Sequence, residues 1–320
     1  MRLKTTVQSV FRDVYGLLAK SFLRRIPGMW RISNFLFRIV WRDIRTIEIE
    51  GSKMWIDVNE PAPALRKTFQ AYGLNLIHEE ATTALFKKVV KPGNVVLDLG
   101  ANMGYFTLLA ARLVGESGKV FAFEPEPKNF NYLKRNIDLN GYSNVEAIQK
   151  AVSSKKGKTK LFICSYDSGH HTIEQCDGIE VYSQGKPFEK NWIEIDTVAL
   201  DEFLEDKTEK VDTIKMDVEG AEALAVLGMR NILRNNKKIK LFIEYFPIFI
   251  EKMGSSPREL IESLIREFEF NIYVIGHDYS MEDYEKTSHL RIGSYQELTG
   301  FLRNSFSHVN LYVTRESCPK

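Results

Sequence analysis

Apolar residues recur along this chain with two different periods, and the change from one to the other outlines its architecture. In residues 5–42 they fall at Val7, Val10, Phe11, Val14, Leu17, Leu18 and Phe22, then at Met29, Trp30, Ile32, Phe35, Leu36, Ile39 and Val40. Steps of three and four predict helix, with a break near Pro27-Gly28. Segments 46–50 and 53–57 flank Gly51-Ser52, which predicts a short β-hairpin. Residues 78–90 read as helix, stopped by Lys91-Pro92-Gly93.

From residue 95 the pattern changes to short apolar runs alternating with helical stretches. Strands are predicted at 95–99, 120–123, 145–151, 158–163, 211–216, 240–245, 271–275 and 309–314. Helices are predicted at 105–113, 127–140, 220–234 and 256–268. This alternation implies a doubly wound α/β fold with a mostly parallel sheet covered on both faces. The stretch 164–194 is rich in Gly, Ser, His and Asp without periodicity, and reads as a lid or binding loop. The expected organisation is a helical extension over 1–44 and one α/β domain over 45–316.

Composition narrows the function classes only a little. The 320 residues are 44% apolar and 27% charged, with a net charge of +2. These are ordinary values for a globular protein and make no case for nucleic-acid binding. Three cysteines, Cys164, Cys176 and Cys318, lack metal-ligand spacing and suit a reducing compartment. No apolar run reaches the roughly 18 residues of a membrane span, and no signal-peptide pattern opens the chain. The expectation is a cytoplasmic protein. Residues 1–45, however, hold ten Lys and Arg against two acids. With Trp30, Phe35 and Phe37, that segment suits either a peripheral membrane contact or a helical cap on the domain.

The candidate chemistry begins at Asp98-Leu-Gly100-Ala-Asn102-Met-Gly104, where an apolar strand passes through glycines into a helix. The dinucleotide pattern G-x-G-x-x-G fails, because Asn102 and Tyr105 stand where glycines are needed. The spacing acid-x-Gly-x-x-x-Gly is met by Asp98, Gly100 and Gly104. It leaves a strand-end carboxylate for a polar cationic ligand. Glu124 ends the next strand and is placed to accept hydrogen bonds from the ribose hydroxyls of a nucleoside.

Three segments in this order carry a resemblance: 98–107, Glu124-Pro-Glu-Pro-x-Asn129, and Lys215-Met-Asp-Val-Glu-Gly-Ala-Glu222. From about residue 45 to 315 the chain resembles the FkbM-type methyltransferases. The resemblance implies a class I methyltransferase sheet, S-adenosylmethionine as donor and, commonly, O-methylation. It implies that Asp98, Gly100, Asn102 and Gly104 form the donor turn and that Glu124, followed by Pro125, holds the ribose. It also implies a donor-side glutamate on the preceding helix, matched by Glu80 or, as the second choice, Glu79.

Asp217 and Glu219 follow the strand at 211–216, two positions apart, so an extended backbone points them the same way. Glu222 and the strand-end Glu244 stand near in the pattern. Such carboxylates suit either help for an acceptor hydroxyl or a divalent cation, and the spacing leaves both open; no complete set of metal ligands can be named, and no metal is assigned. The tandem His170-His171 offers the first candidates for a general base, of which one at most reaches the reacting atom, with Asp217 next. Asn191 and Trp192 are candidates for a substrate wall, with core packing the competing role for Trp192. The reading is a methyltransferase acting on a hydroxyl of a sugar, glycolipid or other polyhydroxyl small molecule. The alternatives are a nitrogen or other acceptor on the same scaffold, and a non-catalytic nucleoside-binding module.

Overall fold

The computed structural model describes residues 46–57, 78–163, 191–208, 210–276, 290–302 and 308–319, together with 39, 60, 69, 72 and 171. The chain divides into two compact units, 1–78 and 79–320. The division expected after residue 44 and the helix expected over 5–42 lie outside the described residues, except for Ile39.

In the first unit, β1 (Thr46–Ile49) and β2 (Ser52–Trp55) form the hairpin, with Ile49 opposite Ser52. The turn is Glu50-Gly51, one residue earlier than expected. Both residues have positive φ, 49° and 76°, as the favoured two-residue hairpin turn requires. Trp55 packs edge-on against Phe69, with ring centroids 6.3 Å apart.

The second unit is built on an eight-stranded sheet. In chain order its strands are β3 (Val95–Leu99), β4 (Lys119–Phe123), β5 (Val145–Ile148), β9 (Thr213–Met216), β10 (Lys240–Tyr245), β11 (Asn271–Gly276), β12 (Leu290–Ile292) and β13 (Val309–Thr314). Their spatial order is β12-β11-β13-β10-β9-β3-β4-β5. The five strands from β10 to β5 are parallel, whereas β13 is antiparallel to both β10 and β11. From β3 the chain winds outward through β4 to β5, then returns to β9 on the other side of β3. That reversal makes the carboxyl ends of β3 and β9 the place where an open α/β sheet binds its ligand.

The sheet has two unlike faces. Leu97, Leu99, Phe121, Phe123, Ile214, Met216, Leu241, Ile243, Leu311 and Val313 join the main apolar core. The alternate positions build the other face. There, Asp98, Lys215, Phe242 and Tyr312 stand side by side in register across four strands. Two residues further along their strands come Glu124, Gly100, Asp217 and Glu244, with Asn310 opposite Glu244.

Helices α1 (Glu80–Val89), α2 (Tyr105–Val114) and α3 (Pro127–Asn140) follow the expected pattern within two residues. Phe86 of α1 packs on Phe106 of α2 and on Phe242, with centroids 5.4 and 5.3 Å apart, so aromatic rings roof the polar face. The helix expected over 220–234 is two, α5 (Glu222–Leu227) and α6 (Arg230–Asn235), broken at Gly228-Met229. A Cβ at Gly228 would lie 2.1 Å from the Ser153 carbonyl oxygen, so the break lets the chain pass that strand end. Short α4 (Leu200–Phe203) precedes these, and α7 (Pro247–Lys252), α8 (Pro257–Glu262) and α9 (Tyr295–Phe301) follow. The strand expected over 145–151 stops at Ile148. The chain then enters a separate sheet of β6 (Ala151–Val152), β7 (Gly157–Phe162) and β8 (Trp192–Val198), in the order β6-β8-β7. Residues 192–194, expected in a loop, therefore begin a strand. Among the described residues no helix is long and apolar enough to cross a membrane.

Gly100 (φ 83°) is where the sheet turns toward the site, and a Cβ there would lie 1.7 Å from the Asp217 carbonyl oxygen. The obstructing atoms are Asp217 backbone, which has no flexible end to move aside. Gly100→Ala should therefore cost more than about 4 kcal/mol in urea denaturation. Gly141→Ala, at φ 65° with nothing within 4 Å of the added carbon, should cost only about 1–2 kcal/mol.

Candidate functional site

The glycine turn after β3 is held by the strand beside it. The backbone N–H groups of Gly100 and Ala101 both donate to the Phe123 carbonyl, each at 2.9 Å. Asn102 then sits at φ 49°, and its N–H donates to Glu124 Oε2 at 2.7 Å. The Glu126 N–H donates to the other oxygen, Oε1, at 2.9 Å. Two amides thus pin the Glu124 carboxylate, and each oxygen keeps a lone pair for a ligand. Burial lifts Glu124 to about 8 despite the opposing pull of these amides. Asn102 Oδ1 is buried and without a hydrogen-bond partner among the described residues. Gly104 (φ 97°) opens α2, and Pro125 is half-buried behind Glu124.

Asp98 lies on the same face, close enough to add to the upward shift of Glu124. Its Oδ2 accepts from Thr107 Oγ1 of α2 at 2.5 Å. Burial raises it to about 6, with the Thr107 bond and the Lys215 charge acting against the rise.

Lys215 is the buried cation of this face, 2% exposed. Its Nζ lies 3.5 Å from Glu79 Oε2, 3.5 Å from Asp217 Oδ2, and 5.0 Å from the Phe106 ring centroid. Burial alone would lower its pKa. The carboxylates of Glu79, Asp217, Glu244 and Asp98 outweigh that and hold it above the ordinary lysine range.

The helix-side glutamate is where sequence reading needs correcting. Glu80 is exposed in the first turn of α1, whereas Glu79 is buried beside Lys215. Glu79 adopts a left-handed conformation (φ 43°) that aims it inward, and it accepts from Asn310 Nδ2 at 3.2 Å. A left-handed glutamate has no sequence signature, so sequence alone ranks the residue after it first and Glu79 second.

Asp217, Glu219 and Glu244 converge, with one carboxylate oxygen of each within 4.8 Å of the others. They do not converge along an extended strand, as expected. β9 ends at Met216, and Glu219 (φ 52°) with Gly220 (φ 100°) folds the chain back. Burial, then the charges of Asp217 and Glu219, push Glu244 well above the usual carboxylate range. Glu222 lies beneath this loop, where its Oε1 accepts from Gly220 N at 3.2 Å, and burial raises it to about 7. His308, not anticipated from sequence, brings Nε2 within 3.7 Å of Glu244 Oε1. His170 lies outside the described residues, and His171 is half-buried. Asn191 and Trp192 are exposed, and Lys160 Nζ sits 4.4 Å over the Trp192 ring.

A doubly wound sheet, a glycine turn gripped by a strand-end glutamate, and an aspartate beside them define the class I methyltransferase type of fold. Residues 98–290, more than half of the chain, match the methyltransferase FkbM domain, and the chain belongs to that family. Among curated proteins it is 28% identical over 144 residues to Methyltransferase 1 of Beauveria bassiana, covering 42% of this chain and 57% of that protein. It is 28% identical over 155 residues to Methyltransferase sdnD of Sordaria araneosa, covering 42% and 60% respectively. The chain thus spans less than two thirds of the curated relatives it matches. A crystal structure of an FkbM methyltransferase from Methylobacillus flagellatus aligns with a TM-score of 0.39 at 15% identity, over 78% of this chain and 54% of that one. Aeropyrum pernix fibrillarin, solved with natively bound S-adenosyl-L-methionine, aligns with a TM-score of 0.40 at 13% identity, over 73% and 77%.

Removing the Lys215 ammonium leaves buried carboxylates uncompensated. Lys215→Met should therefore destabilise the fold by about 3–5 kcal/mol at pH 7. In urea denaturation the loss should shrink towards pH 5, where the carboxylates take up protons. Glu124 makes a second, opposite pH signature. Its proton is held to about pH 8 when folded but lost near 4.5 when unfolded, so its contribution is full below pH 4.5 and lost as pH rises through 8. Melting temperatures measured from pH 6 to 8 should fall, and Glu124→Gln should flatten that fall.

Proposed function

We propose that this chain is an S-adenosylmethionine-dependent methyltransferase acting on a hydroxyl of a sugar, glycolipid or other polyhydroxyl small molecule. The carrying observation is the pair of buried carboxylates, Asp98 and Glu124, flanking a glycine turn at the switch point of the sheet. Their chemistry fits a nucleoside carrying an amino acid. Glu124 has acceptor capacity left for ribose hydroxyls, and the unpartnered Asn102 Oδ1 gives a further acceptor in the same turn. Asp98 brings negative charge to the cationic end. Gly100 and Gly104 keep the turn free of side chains where a ligand approaches.

When bound, S-adenosylmethionine supplies a methyl group already activated by its positive sulfur. The chain's own residues then have three tasks. The turn and Glu124 hold the donor in one orientation, and such positioning is worth on the order of 7–11 kcal/mol in favourable cases. The aromatic rings of Phe86 and Phe106, packed over the sheet-borne Phe242, keep water from the Lys215 cluster. The acidic group after β9, with Asp217 27% exposed at its front, accepts a hydrogen bond from the acceptor's hydroxyl. Support for a hydroxyl acceptor comes from the likeness to the FkbM family together with this group of oxygen acceptors.

Calorimetry with S-adenosylhomocysteine tests the donor site. Asp98→Ala and Glu124→Ala should each weaken binding on the order of ten-fold or more, the loss of a hydrogen bond to a charged group. Asp217→Ala should keep the affinity but reduce the methylated product found by untargeted mass spectrometry after expression. NAD should produce no thermal shift. Wild-type affinity in both donor-site variants would overturn the reading.

A further inference from the structure

The reversed strand β13 brings a residue to the site that no other element supplies. It starts at the carboxyl edge of the sheet, where β10 ends, with Val309 opposite Tyr245 and Asn310 opposite Glu244. His308, the residue before it, is two positions from Asn310. On an extended backbone the two share the face that carries Glu244 and Asp217. Its Nε2 is 3.7 Å from Glu244 Oε1, and its ring lies against Phe246, with centroids 5.2 Å apart at 36°. The His308 side chain is 23% exposed and that of Glu244 13%, so the imidazole stands at the rim and the carboxyl behind it.

We infer that His308 is the general base of the proposed methyl transfer, with Glu244 as the positioning residue that orients its ring. The inference rests on the methyltransferase reading of the same site. The acceptor's hydroxyl oxygen bonds to the methyl carbon as that carbon's bond to sulfur breaks, and the bonding pair stays on sulfur. The hydroxyl proton passes to His308, giving an imidazolium that releases it to solvent when the product leaves. An imidazole is the side chain suited to this near neutral pH. The groups around it favour the charged product. Glu244 faces it from β10, and Glu244 in turn feels the charges of Asp217 and Glu219 from the loop after β9 and of Glu79 from the start of α1. Lys215 offsets part of that charge from β9. Burial and the charges of Asp217 and Glu219 raise the Glu244 carboxyl well above the usual carboxylate range, so a proton arriving on His308 and shared with Glu244 relieves the cluster of like charge. A spacing of 3.7 Å is long for a hydrogen bond. Catalytic pairs often stand so apart without substrate and tighten in the complex.

The test needs no acceptor. Histidine-labelled protein is titrated by NMR with saturating S-adenosylhomocysteine or S-adenosylmethionine, and His308→Gln assigns the resonance. The two ligands differ by one methyl group and one positive charge at sulfur. A ring facing the transferring methyl should titrate about one unit or more lower with S-adenosylmethionine. Glu244→Gln should lower its midpoint with either ligand. His308→Gln should bind S-adenosylhomocysteine like the wild type by calorimetry while losing product formation in expressing cells. If both ligands bind and the His308 midpoint is the same with each, the assignment is overturned and the methyltransferase reading stands. If neither ligand binds, the reading of the site fails along with it.

Discussion

One buried ammonium organises the polar half of this domain. Lys215 sits in the middle of the sheet with almost no water, and stripping a charge of its hydration costs several kcal/mol unless close partners replace it. The partners come from three directions: Glu79 before α1, Asp217 beyond β9, and Asp98 beside it on β3. Each partner restrains the element that carries it. Glu79 holds a left-handed backbone conformation, unfavourable by on the order of 1 kcal/mol, to reach the cation. Asp98 in turn fixes Thr107 and hence the start of α2. Acids outnumber the ammonium here, so the surplus stays protonated. Burial accordingly lifts Asp98 to about 6, Glu222 to about 7 and Glu124 to about 8. Near neutral pH the site holds several protons that small changes in its surroundings can release.

Much of this was legible along the chain because the strands alternate. In 213–217, Ile214 and Met216 are apolar while Thr213, Lys215 and Asp217 are polar; 309–314 alternates in the same way. That period of two reports one face against the core and one toward a polar interior. The glycine turn itself was readable because glycine spacing and a strand-end acid follow from local backbone geometry. Glu79 was harder to choose, since only a positive φ on a non-glycine residue separates it from Glu80. β8 was missed although Ile193, Ile195 and Thr197 alternate with the exposed Trp192, Glu194 and Asp196, because its first residues read as the end of the Gly- and Ser-rich stretch. His308 was invisible for a different reason. It lies far along the chain from Asp217 and Glu244, and only the antiparallel pairing of β13 with β10 joins them.

The turn that receives Glu124 and the loop that carries Asp217 are packed backbone to backbone. Gly100 has no side chain, and the Asp217 carbonyl occupies the space where one would stand. The Asp217 N–H donates to Leu99 at 2.9 Å, immediately before that turn. A shift of one segment therefore presses directly on the other. In a packed interior such displacements pass on rather than dissipate. The glycine turn and the acidic loop are mechanically one piece at this point.

The reversed direction of β13 has a consequence for how such a scaffold diversifies. The parallel strands reach that edge through their last residues and the turns after them, as Asp217, Glu219 and Glu244 do. A strand inserted head-first contributes the segment that precedes it instead. At β13 the described residue is His308, and a substitution there leaves in place the glycine turn and its glutamate, which stand on β3 and β4. New chemistries can therefore be grafted at the late end of the chain while the early end stays as it is.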